Sequence, residues 1–133
     1  MSIRKDVLKI DIQENAYFLV YHKNIDIGFG PTVGLYLYNI EYLKFDCFGQ
    51  DHGHYHVFNK KTDVRIYFTE KTVLEQINKV KGGLMNTIQS YLQASKNKAI
   101  REFHFDMDIF RSKVLIAIEK MLEYEQTHYA SLR

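Results

Sequence analysis

The apolar residues of this 133-residue chain change period part-way along it, and that change most constrains the fold. Up to Phe68 they recur mainly every second residue, as on a half-buried strand; beyond it they recur every three or four, as on a helix. Leu8, Ile10 and Ile12 alternate with Lys9 and Asp11. Residues 16–22 (AYFLVYH) form a continuous aromatic and aliphatic run. Gly28, Gly30 and Pro31 read as a loop, because glycine admits positive φ and proline fixes φ. Val33, Leu35 and Leu37 then alternate with Thr32, Gly34 and Tyr36, and Asn39-Ile40 reads as a hairpin turn. EYLKFDCF (41–48), a polar GQDHG loop, residues 54–58, an NKKTD turn and residues 64–68 complete the strand series.

The second half predicts two long helices. Thr69 is the expected N-cap of the first, whose stripe is Val73, Ile77, Val80, Leu84, Ile88 and Tyr91. Gly82-Gly83 weakens this helix without shifting the phase of the stripe, so the helix is expected to continue through the pair. The last helix is expected from about Ser112, with Val114, Leu115, Ile118, Met121 and Leu122 on one face. Residues 103–109 fit either a strand, through alternating Phe103, Phe105, Met107 and Ile109, or an earlier helix start capped by Asp106 or Asp108. Strands first and helices second make an α+β fold. The expected architecture is a meandering antiparallel sheet of about five or six strands, with the two long helices packed on one face, in a single domain over residues 1–133.

Composition narrows the function classes. A hydrophobic fraction of 46% and a charged fraction of 26% suit one globular core. A net charge of +2 does not by itself imply nucleic-acid binding. Cys47 is the single cysteine, so no intrachain disulfide forms, and with neither a signal-like nor a membrane-length apolar run the expected location is the cytoplasm, with no membrane partner. The stripe on the first helix is wide enough that a homodimer is a conceivable second use of it.

The chemistry concentrates in FDCFGQDHGHYHVF, Phe45–Phe58. On a strand His54 and His56 share one face, with His52 entering from the loop. Asp46 and Cys47 on the preceding strand point to opposite faces, and one of these faces could meet the histidines across a hairpin. Such a set supports metal binding by His52, His54 and His56, with zinc as the type ion. It equally supports acid–base catalysis by His54 and His56 with Asp46 orienting one ring, as cleavage of an RNA phosphodiester would need. Arg65 and Lys61 would then hold phosphate. The plain alternative is a pair of histidines filling a half-wet sheet face. Cys47 reads as a small buried residue rather than a nucleophile. His104, Asp106 and Asp108 read as a wet face or cap, and glycines 28, 30 and 34 are not a phosphate fingerprint, since no strand-to-helix step surrounds them.

The run GPTVGLYLYNIEYLKFDCFGQDHGHYHVF resembles a small uncharacterised bacterial domain family with an E-x-L-x-FDCF…HYH signature. More distantly, the order Phe45-Asp46, His54 and His56, Phe68-Thr69 and a helix from Glu70 is similar to TumE-type toxins of toxin–antitoxin pairs. That second resemblance implies an RNA-directed toxin with an antitoxin-like protein partner, and it carries Asp46, His54 and His56 into its site. The competing expectation is a non-catalytic interaction domain whose histidines pack in the sheet or bind a metal.

Overall fold

The computed structural model describes residues 4–59 and 62–133. Six strands follow one another in space as in sequence: β1 (Arg4–Gln13), β2 (Ala16–Ile25), β3 (Gly28–Leu37), β4 (Ile40–Asp46), β5 (His54–Asn59) and β6 (Thr62–Tyr67). Each pairs antiparallel with the next, because short connections allow no crossover. Three helices follow: α1 (Val73–Gln93), α2 (Lys98–Arg101) and α3 (Met107–Tyr124), the last continued by a wider turn over Glu125–Tyr129. The fold is the expected α+β meander.

Several boundaries differ from the sequence reading, each for a local reason. The β3–β4 turn is Tyr38-Asn39, not Asn39-Ile40. Both residues adopt positive φ (54° and 61°), as a tight hairpin turn requires, and Ile40 already belongs to β4. Gly28 to Pro31 is not a loop but the first part of β3. Pro31 is tolerated in this inner strand because the β3–β4 ladder has ended there; its carbonyl receives Cys47 N–H, on the side where a proline donor would be missing. Gly30 is required by crowding, since a Cβ there would lie 2.3 Å from the Cys47 carbonyl oxygen.

The N-cap of α1 is Thr72, not Thr69. Its hydroxyl accepts the Glu75 N–H at 3.1 Å and donates to the Glu75 carboxylate at 2.8 Å, the threonine-to-glutamate spacing of a capping box. Thr72→Ala is expected to lower stability by about 1 kcal/mol in urea denaturation, against little change for Thr69→Ala. Helix α1 does run through Gly82-Gly83. Helix α3 begins at Met107 rather than Ser112, because Asp106 accepts the N–H groups of Asp108 and Ile109. Residues 103–106 are therefore not a strand.

One face of the sheet carries Phe18, Val20, Val33, Leu35, Leu43, Phe45 and Val57, which join Ile77, Val80, Leu84 and Ile88 of α1 and Phe110, Val114 and Met121 of α3 in one core. Strand register then dictates what lies on the other face. Directly opposed residues share a face, so one row reads Tyr21, Thr32, Asp46, His54 and Tyr67, and the next reads Leu19, Gly34, Lys44, His56 and Arg65.

Candidate functional site

The two rows gather Asp46, His54 and His56 on the face away from the helices. The part of this face around them is dry where a wet one would be ordinary, although Arg65 and Tyr67 at its β6 edge are exposed. Asp46, His54 and His56 are 1%, 2% and 4% exposed, and Lys23 only 3%. Aromatic rings supply the cover. Phe48 packs edge-on against His54 and Tyr67 tilts against it, while Phe58 stacks on His56. The Lys23 ammonium lies over the Phe48 ring and that of Lys44 over Phe58.

Asp46 is held through one oxygen and left open through the other. Its Oδ1 accepts the Thr32 hydroxyl at 2.7 Å and meets Lys23 Nζ at 2.8 Å. Lys23 stands opposite Gly30 in the ladder, where no side chain intervenes. Asp46 Oδ2 lies 3.1 Å from His54 Nε2 and 3.6 Å from His56 Nε2, yet it has no hydrogen-bond partner. Among the described residues, the only other buried side-chain polar atom in that condition is the Tyr21 hydroxyl, in the same row.

The far nitrogens of both imidazoles are committed. His54 Nδ1 lies 2.9 Å from the His52 carbonyl oxygen, and His56 Nδ1 lies 2.9 Å from the Asp63 carboxylate. Both partners can only accept, so each Nδ1 carries a proton. In neutral imidazole that leaves Nε2 as a lone pair. Two nitrogen lone pairs and a carboxylate oxygen then converge, all within 4.8 Å of one another. Acceptors crowded together repel unless a proton or a metal ion sits among them. The separations suit one: ligands bonded at about 2.0–2.1 Å around a tetrahedral ion stand roughly 3.3 Å apart and aim at the centre rather than at each other. Each candidate ligand also has the outer-shell partner that metal ligands usually keep: a carbonyl for His54, a carboxylate for His56, and Thr32 with Lys23 for Asp46.

The electrostatics agree with an ionised Asp46. Burial alone would raise its carboxyl, but the close His54 and His56 imidazoles, which favour the charge only where Nε2 bears a proton, and the Lys23 charge outweigh it and hold the group well below the carboxylate range. Burial pushes the Lys23 ammonium down, with the Asp46 charge opposing. Burial, helped by the neighbouring Asp46 charge, pushes the Cys47 thiol well up, which leaves it a core residue and not a nucleophile.

The remaining sequence candidates lie around this cluster. His52 is exposed; its carbonyl orients His54, while its ring lines a separate cleft of about 790 Å³ between residues 24–29, the 48–52 loop and the chain around Arg133. Arg65 stands beside His56 across the β5–β6 ladder and is exposed. Lys61 lies outside the described residues. His104 is exposed, and Asp106 is spent on its cap. Lys23 and Thr32 are the members that sequence reasoning missed. Strand parity places Lys23 on the face of Tyr21, but only the β2–β3–β4 register brings it to Asp46. No family model, curated protein or solved structure matches this chain.

Proposed function

We propose that this is a metal-binding domain, in which Asp46, His54 and His56 hold one transition-metal dication of the zinc class that stabilises the sheet. The observation that carries this reading is Asp46 Oδ2, buried, without a hydrogen bond, and flanked by two Nε2 atoms of rings whose opposite nitrogens are already committed. Two imidazoles and one carboxylate favour zinc, cobalt, nickel or iron over calcium or magnesium, which take all-oxygen sites. Lys23 already balances Asp46, so the ion gains from imidazole bonding more than from net charge, which again favours a transition metal. A fourth ligand would be water. The aromatic cover of Phe48, Phe58 and Tyr67 argues for a stabilising role rather than turnover on a large substrate.

RNA cleavage by the imidazole pair is the second reading, supported by exposed Arg65 beside His56. It ranks below the first because a phosphodiester would have to reach rings that are 2% and 4% exposed. Cleavage of total RNA by chelator-treated protein, lost in a folded His54→Ala, His56→Ala variant, would reverse that order.

The test of the metal reading uses the purified chain, stripped by chelator and titrated with zinc or cobalt. At free metal about 100-fold above Kd, stabilisation is about 2.7 kcal/mol. That raises Tm by on the order of 8 °C in a chain of this size. Cobalt should give the visible absorption of a low-symmetry nitrogen–oxygen site. Both signals should vanish in the His54→Ala, His56→Ala variant. An unchanged Tm in the wild type, or an equal rise in the variant, would overturn the proposal.

A further inference from the structure

A second group of ligand atoms sits at the same end of β2 but on the opposite, helix-side face, where His22 lies between Tyr21 and Lys23 in sequence and shares no ligand with the buried cluster. Asp6 lies where the β1–β2 register shifts, between Lys5 and Leu8, and its φ of 53° is a conformation side chains rarely adopt. That bend turns its carboxylate across the sheet edge. The Tyr124 hydroxyl fixes the Asp6 backbone by donating to its carbonyl oxygen. Asp6 Oδ2 then stands 2.8 Å from His22 Nε2 and 3.8 Å from His128 Nε2. The rings of His22 and His128 stack at 4.0 Å between centroids and 19° between planes, so their nitrogens address the same carboxylate side by side. One ligand atom from each of Asp6, His22 and His128 falls within 4.8 Å of the others.

Support and access differ here from the buried cluster. His22 is buried, and its ring is set by Tyr129, whose hydroxyl oxygen lies 2.9 Å from His22 Nδ1. The side chains of Asp6 and His128 are 63% and 40% exposed, so an ion could enter from solvent without opening the core.

We propose that Asp6, His22 and His128 form an exposed transition-metal site that pins the segment after α3 to the β1–β2 edge of the sheet. On binding, His22 coordinates through Nε2 and its single proton sits on Nδ1, donated to the Tyr129 oxygen. His128 swings by the small amount its exposure permits to complete the set. Nickel, copper and zinc are the ions such a donor set takes. The site bridges residues far apart in sequence, so occupancy should slow local opening of residues 125–133 more than it raises global stability.

The experiment is an NMR titration of the folded, isotope-labelled full chain with copper(II), which broadens resonances near the ion it binds. The expected result is selective broadening at Asp6, His22 and His128 at substoichiometric copper, abolished by His128→Ala and by Asp6→Asn. Both substitutions alter exposed side chains, and asparagine tolerates the positive φ at position 6. Any broadening at His54 and His56 reports the buried cluster separately, so failure of one site does not conceal the other. Absence of broadening at His22 and His128, or its persistence in both variants, would overturn the inference.

Discussion

Asp46→Ala should be the most damaging single substitution on the sheet face away from the helices, costing about 3–5 kcal/mol in urea denaturation of the metal-free protein. The alanine removes the acceptor of the Thr32 hydroxyl and, more seriously, the counter-charge of Lys23, which is 3% exposed. An ammonium with no partner in a dry site must deprotonate or drag water in, and either route is expensive. The double variant Lys23→Met, Asp46→Leu should recover most of the loss, because apolar replacements of similar volume remove both charges and their desolvation together. If the double variant is as unstable as Asp46→Ala, the ion pair is not the source of the effect.

Lys23 and the proposed ion act on different oxygens of one carboxylate, and that makes Lys23→Met informative on its own. Without metal it leaves Asp46 buried with Thr32 and two imidazoles for support. With metal the ion replaces the missing charge. The cost of Lys23→Met should therefore shrink when zinc is saturating, whereas the cost of Asp46→Ala should grow, since the wild type gains from metal and that variant does not. Parallel costs with and without zinc would separate Lys23 from the metal site altogether.

How far the sequence reached follows from what strand periodicity can and cannot encode. Alternation identifies which residues of one strand share a face, so His54 beside His56 was legible from the sequence. The hairpin between β4 and β5 was legible too, which brought Asp46 within range. Register across three strands was not. Lys23 needs the β2–β3 pairing Lys23 to Gly30 and the β3–β4 pairing Thr32 to Asp46 before it meets the carboxylate. Nor could the dryness be foreseen, because it depends on Phe48, Phe58 and Tyr67 closing over a face that alternation alone marks as polar. The missed cap at Thr72 is a different kind of error: its signal, a glutamate three residues on, was present in the sequence. The Asp6–His22–His128 group unites the first strand with the last turn, a closure that no local pattern records.

Gln76→Leu is expected to cost about 2–4 kcal/mol, as the buried Gly49 N–H and the part-buried Glu70 and Gln50 carbonyls lose their partner at up to about 1–3 kcal/mol each, partly relieved by relaxation and water. Gln76 is fully buried near the start of α1. Its Oε1 accepts the Gly49 N–H at 2.9 Å, and its Nε2 donates to the Glu70 carbonyl at 2.9 Å and more weakly to that of Gln50. The loop closes tightly around it, since a Cβ on Gly53 would fall 2.0 Å from Oε1. This amide therefore sets the path of residues 49–53, and that path places the His52 carbonyl that orients His54. The consequence reaches the site: Gln76→Leu should weaken zinc binding as well as stability, whereas a core truncation such as Val114→Ala, remote from the loop, should lower stability alone. Outer-shell losses of this kind typically reduce metal affinity by about 10–100-fold. Calorimetric titration of both folded variants compares them directly, and equal zinc affinity in the two would mean that the loop does not position His54.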